Sequence, residues 1–398
     1  MKPVRPWAHF FLPIACAGLA MAQPPSVETA WQLIAQGKRD QAVTLLGGLI
    51  RAEPRNPDAR LLLGSILMEA GKRDESIAQL REAVRLLPNS AEAHNALGEA
   101  YSAFGEMKSA RPEFERAVEL DPRHAQAQVN LADVLLQQGE AQRAVPHLEQ
   151  AIRIIGRKPD AAYAHYLRAK AYSGDHDAAK AAAELQLAID LRPDFAEAWS
   201  DLGDARKSLA DGEGALSAFH RAVTLSPQDP VAQYRLGSQL LDSGAVHEAV
   251  EHLEAAVRLD AKNQSALNAL QRALRQDGQP EEAARVARRL AELLRERDRA
   301  DQRQVAAFEM NNRGAELEKA GDLRGAAEKY RAALELLPEH AGIRTNLAVA
   351  LLKLGNWEEG IFQMRQALRQ DPGNTKLRKA LDDALAQAKA HGVTLPKP

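Results

Sequence analysis

The chain has 398 residues, of which 45% are apolar, 27% charged and 5% aromatic. That apolar content excludes an intrinsically disordered chain, and so few aromatics argue against a β-sandwich, a barrel or a module that stacks bases. Fifty-two Lys and Arg against 54 Asp and Glu leave a net charge of -2, so no global positive field draws in nucleic acid or anionic membrane, and a protein partner is expected.

The first element in chain order reads as an address. Lys2 and Arg5 precede an apolar stretch from Phe10 to Met21, and Ala20-Met21-Ala22 has the small-x-small pattern of a signal-peptidase site, so residues 1–22 are expected to be a signal peptide cleaved after Ala22. The stretch is shorter than the roughly 20 apolar residues a membrane span needs, and Pro13 interrupts it. Cys16, the single cysteine, lies inside it, which leaves the mature chain without a disulfide framework, a Cys-based zinc site or thiol chemistry. The expected location is exported, periplasmic or secreted, with no membrane span after cleavage.

A period of 34 residues runs through the rest. Gly37, Gly71, Gly105 and Gly139 keep it, then Gly244 and Gly278, then Gly321 and Gly355; Pro54, Pro88, Pro122, Pro193, Pro227, Pro338 and Pro372 report the same register. Ten copies fit, with 3 extra residues between Gly139 and Gly244 and 9 between Gly278 and Gly321. The copy from Ala91 shows the pattern: apolar and small residues return at spacings of three and four, predicting two amphipathic helices with a turn at Gly105. Gly105 can take the left-handed conformation that ends a helix, and Pro122 stops the second helix. Small residues recur in the first helix at Gly64, Gly98, Ala132, Gly203, Gly237, Gly314 and Ala348, where a second helix would approach closely; Ala110 and Ala117 are its small contact points, and Phe114 fills the space between neighbours.

This spacing of small, aromatic and proline positions resembles the tetratricopeptide repeat, and Trp199 with Leu202 and Gly203 matches that family's opening W-x2-L-G. Copies begin near 23, 57, 91, 125, 162, 196, 230, 264, 307 and 341. The resemblance implies an all-α, right-handed superhelical α-solenoid of helix-turn-helix repeats: a hairpin cannot bury both of its apolar faces, so copies must stack. The expected organisation is repeats 1–8 over 23–297, a charged helical linker over 298–306, repeats 9–10 over 307–374, and a capping helix and tail over 375–398, where Leu377, Ala380, Leu381, Ala384 and Leu385 share one face.

Two places break the pattern. Copy eight has Gln271 where a small residue belongs and Arg295 where proline belongs, and no Gly or Pro occurs between Glu281 and Asn312, which predicts one long helix through RERDRADQRQ joining two blocks of repeats. IIGRKP at 154–159 lengthens the loop after copy four.

No motif carries chemistry. HEAVEH, from His247 to His252, spaces its histidines five apart rather than the four of a zinc-protease helix, and SGDHD around His176 has a turn's composition at a turn's place. No Walker loop, nucleophile elbow or dinucleotide fingerprint appears. Neither enzymatic activity nor a cofactor, metal or small-molecule substrate is expected.

The family resemblance implies a concave face lined by the first helices, with these positions on it: Asn95 and Glu99; Asn130 and Asp133; Tyr166 and Lys170; Asp201 and Asp204; Tyr234, Arg235 and Ser238; Asn268 and Arg272; Asn311 and Asn312; and Asn346. Asn side chains both donate to and accept from a peptide backbone, and Tyr supplies area at low entropy cost. No copy pairs the Lys and Asn with which one subfamily clamps a C-terminal carboxylate. The expected function is a non-enzymatic scaffold or adaptor that binds peptide or helical segments of partner proteins in an envelope assembly. The alternative is a scaffold in a polysaccharide-export or glycan-processing complex, for which only Tyr166 and Tyr234 offer groove rings.

Overall fold

A computed structural model describes residues 26–393. The expected signal peptide, its cleavage site and Cys16 lie outside the described residues, as do 394–398 of the tail. The described residues are helical throughout, paired as hairpins: α1 (Val27–Ala35) with α2 (Arg39–Ala52), α3 (Pro57–Glu69) with α4 (Arg73–Leu86), α5 (Ala91–Ala103) with α6 (Met107–Leu120), and α7 (Ala125–Gln137) with α8 (Ala141–Ile155). The series continues with α9 (Ala161–Gly174) and α10 (Ala178–Leu191), α11 (Ala196–Ser208) and α12 (Gly212–Leu225), and α13 (Pro230–Asp242) and α14 (Val246–Leu259). Then follow α15 (Gln264–Gln276), α16 (Pro280–Lys319), α17 (Leu323–Leu336), α18 (Ala341–Lys353), α19 (Trp357–Gln370) and α20 (Thr375–Ala390).

Two compact units divide between Leu259 and Asp260. In each, a helix packs on its hairpin partner and on the first helix of the next copy, the arrangement of an all-α solenoid. The charged segment 298–306 is the middle of α16 and lies inside unit 2.

Local chemistry sets the helix ends. First helices open on side-chain caps: Ser26, Asn56, Ser90 and Asn263 each accept a backbone N–H three residues on. Hairpin turns close on left-handed residues at Gly37, Gly71, Gly105, Gly139, Gly244, Gly278, Gly321 and Gly355. Copies five and six have no glycine there, yet the conformation persists: among the described residues His176 (φ 58) and Ala210 (φ 61) are the non-glycine residues with positive φ. The extra residues after copy four add less loop than the sequence implied, since Ile154 and Ile155 finish α8 and Gly156 (φ 72) ends it.

Hairpins close on a small–large pair sixteen residues apart. A Cβ on Gly98 would stand 2.6 Å from Phe114, one on Gly203 2.4 Å from Phe219, and one on Gly314 2.7 Å from Tyr330, so these aromatics rest directly on helix backbone. Where the small residue is Ala132, Ala169 or Ala348, its partner is Leu148, Leu185 or Met364, all buried. Copy eight inverts the pair, with Gln271 and Ala287 at its two positions and both only half-buried. At the far end α20 buries Leu377, Leu381 and Ala384 against Ile361 and Met364, with Ala380 and Leu385 partly covered.

Candidate functional site

First helices of successive copies lie side by side, and polar residues about one period apart meet between them. Asn130 Nδ2 donates to Asn95 Oδ1 at 3.0 Å and to Glu99 Oε1 at 2.9 Å, while Gln126 donates to Asn130 Oδ1 at 2.7 Å. One copy further, the Tyr163 hydroxyl donates to Asp133 at 3.3 Å. Tyr166 packs on Phe195 with ring centroids 4.8 Å apart and carries the Lys170 ammonium 5.7 Å over its ring. Asp201 and Asp204 clamp Arg235 at 3.0 and 2.8 Å, and Arg235 also donates to Ser200 Oγ at 2.6 Å. Lys207 pairs with Asp242 at 2.7 Å.

Unit 2 repeats the device on its own first helices. Asn346 Nδ2 donates to Asn311 Oδ1 at 2.9 Å, and Lys353 pairs with Glu318 at 2.7 Å.

The row of first-helix residues named from the sequence is thus largely a ladder that joins copies. Asn95 is buried, and Glu99, Asn130, Asp133, Tyr166, Asp201, Asp204, Tyr234, Arg235, Ser238, Asn311 and Asn346 are half-buried. Lys170, Asn268, Arg272 and Asn312 are exposed. Electrostatics follow burial: the Tyr166 hydroxyl is pushed well above its ordinary pKa by burial and then by the Asp201 carboxylate. Burial also holds the Asp204 carboxyl above its usual range, with the Asp201 charge adding to it and Arg235 opposing it. A ligand on this face meets amides and carboxylates already oriented by their neighbours, with lone pairs to spare on the Asn, Asp and Glu oxygens.

A second set of polar residues escaped the sequence reading. The fourth residue of many first helices donates to the carbonyl of the proline six positions earlier: Arg60 to Pro54 (2.7 Å), His94 to Pro88 (3.1 Å), Gln128 to Pro122 (3.0 Å), Trp199 to Pro193 (2.9 Å), Gln233 to Pro227 (2.9 Å), Arg378 to Pro372 (2.8 Å), and Arg344 to Pro338. Several also reach the second helix nineteen residues on: Arg60 donates to Gln79 (2.7 Å), His94 meets Glu113 (2.7 Å), and Gln128 and Gln233 accept from His147 (2.6 Å) and His252 (2.7 Å). These latches tie the turn between copies to the body of the hairpin. Burial depresses the pKa of His147 and His252, in keeping with neutral rings in the latch. Copies eight and nine place Leu267 and Met310 at this position.

The histidines considered for metal chemistry have other roles. His252 belongs to a latch on Gln233, and His176 is the left-handed residue of the α9–α10 turn. Among the described residues no group of three His, Cys, Asp or Glu side chains is placed to hold a metal ion, and no helix is long and apolar enough to cross a membrane.

Two sequence profiles described as tetratricopeptide repeat match, one over residues 33–100 and 317–384, the other over 95–162, 166–230 and 200–264. The chain belongs to the tetratricopeptide repeat family. Trp199, the opening residue of the family motif, acts here as the donor to the Pro193 carbonyl. Among curated proteins, the BBSome complex member bbs-4 of Caenorhabditis elegans is 27% identical over 194 residues, covering 46% of this chain and 40% of its own length. The peroxisomal targeting signal receptor of Eremothecium gossypii is 35% identical over 72 residues, covering 18% of this chain and 13% of its own. The chain therefore spans less than half the length of these curated relatives. Among solved structures, Pseudomonas aeruginosa pilF is 18% identical, with a TM-score of 0.49 over 53% of this chain and 95% of its own.

Proposed function

We propose that this tetratricopeptide repeat protein is a non-enzymatic adaptor that holds peptide or helical segments of partner proteins along its first helices, and that it does so as an exported component of an envelope assembly. Tetratricopeptide repeats are in general interaction scaffolds, and in both units the helices are spent on stacking. The observation that carries the proposal is the inter-copy ladder: Asn95–Asn130–Glu99, Asp201–Arg235–Asp204 and Asn311–Asn346 present oriented amides and carboxylates along rows of first helices. Exposed Asn268, Arg272 and Asn312 add donors that no fixed geometry commits. Signal-like residues 1–22 support export.

Tyr166 is already engaged by Phe195 and Lys170, which favours a protein ligand over a sugar ring that would need its face. The test is crosslinking and affinity capture from the native envelope, comparing the wild type with Asn130→Ala, Asn312→Ala and Asn346→Ala. Loss of the captured protein in these variants, with helix content preserved, is the expected result; unchanged capture would reject the assigned face.

A further inference from the structure

The middle of α16 differs in kind from every hairpin. Each residue from Arg295 to Val305 is exposed, so eleven consecutive residues form three turns of exposed helix. Its cations are not equivalent. Arg297 is engaged by Asp298 at 3.6 Å and by Gln264 Oε1 at 3.4 Å. Arg295, Arg299 and Arg303 stand four residues apart, and among the described residues none has an ion pair or a hydrogen bond. Spacing of four places them on one face, about 6 Å apart along the axis. This face opens on a cleft lined by Glu296, Arg299, Gln302, Arg303, Ala306 and, from α17, Leu336.

We propose that this stripe of free arginines docks an acidic α-helical segment of a partner protein, at a site separate from the ladder of first helices. Carboxylates repeated every fourth residue along a helix have the same rise of about 6 Å as the guanidinium groups, so a helix laid over the cleft at Arg299 and Arg303 and continued along the stripe to Arg295 can meet all three arginines in register. Each guanidinium forks to a carboxylate, and Ala306 and Leu336 offer the docked helix an apolar flank. Nucleic acid fits less well. The exposed stretch carries no aromatic side chain on which a base could stack.

The test uses the full chain and a fluorescein-labelled alanine-based helical peptide with glutamate at every fourth position, followed by anisotropy at low and raised salt. Its glutamine counterpart and a single-stranded oligothymidylate serve as competing probes. Binding of the glutamate peptide alone, weakening with salt and reduced about tenfold or more by Arg295→Glu/Arg299→Glu/Arg303→Glu, is expected. Arg153→Glu/Arg157→Glu/Lys158→Glu makes the same change in net charge at exposed positions of unit 1 and should leave binding unchanged. Equal loss in both triple variants would reduce the effect to bulk charge and overturn the proposal. So would absence of peptide binding, or tighter binding of the oligothymidylate. The reversed arginines are exposed, so circular dichroism should show the wild-type helix content. The ladder variants above should retain peptide binding, which separates failure of this site from failure of the first-helix face.

Discussion

The run of hairpins from α3 to α14 and the single helix α16 are built from the same kinds of residue and behave oppositely. In the hairpins a left-handed residue ends the first helix, a small–large pair closes the two helices, and in most copies a latch to a proline carbonyl fixes the next turn. From Glu281 to Asn312 of α16 these marks are missing together, and they return only with the Gly314–Tyr330 pair and left-handed Gly321. No Gly or Pro falls between Glu281 and Asn312, Gln271 and Ala287 occupy the positions of the small–large pair, and Leu267 and Met310 replace the latch donors. Nothing stops the helix, so it runs for 40 residues, about 60 Å, and its middle is exposed from Arg295 to Val305. The comparison teaches that the repeat is maintained by punctuation as much as by its apolar stripe: where punctuation lapses, helix propagation takes over.

The comparison breaks first at the bridge. Proline at Ala300, an exposed position in the middle of α16, removes a backbone donor and clashes with the preceding turn, at a cost of about 3 kcal/mol to the helix. Ala300→Pro should lower the helical circular dichroism signal and speed trypsin cleavage, which already in the wild type should begin among Arg295, Arg297, Arg299 and Arg303. Unaltered digestion would mean that the bridge is not a continuous helix in solution.

A smaller loss tests the hairpin lock. A methyl at Gly203 would lie 2.4 Å from Phe219 Cε1, and the ring has backbone beneath it, so Gly203→Ala should cost roughly 1–3 kcal/mol in urea unfolding. Adding Phe219→Leu recreates the Ala–Leu pairing of Ala169 with Leu185 and should recover part of that loss; a double variant no more stable than Gly203→Ala would refute the pairing rule. The smallest effect is a gain. Ala210 holds φ 61 where eight other copies place glycine, and Ala210→Gly should raise stability by up to about 1 kcal/mol, relief of the left-handed strain outweighing the entropy glycine adds to the unfolded chain. A lower unfolding midpoint would show that strain at this turn is negligible.

Much of the fold was legible because its signals are local and periodic. The copy starts expected at 57, 91, 125, 196, 230, 264 and 341 coincide with the first residues of α3, α5, α7, α11, α13, α15 and α18, and the helix expected through 281–312 is part of α16. The absent glycines of copies five and six misled nothing, since the period carried the turn across His176 and Ala210. The candidate face was legible only as positions. Asn95, Asn130, Asp201, Asp204 and Arg235 were named as ligand contacts, and the structure spends many of their hydrogen bonds on one another. Latch residues were hidden for a different reason: Arg60, His94, Gln128 and Trp199 share no side-chain class, only an N–H at the right reach from a proline carbonyl.

By itself the sequence determined the period, the helix boundaries and the place where the period fails, because capping, left-handed turns and helix breaking act within a few residues of their cause. Tertiary structure alone decided which polar side chains pair across copies, where the chain divides into two units, and which arginines of α16 are left without partners. Those outcomes depend on the approach of helices a full period or more apart, and at that range a side chain's partner is set by packing, not by its neighbours along the chain.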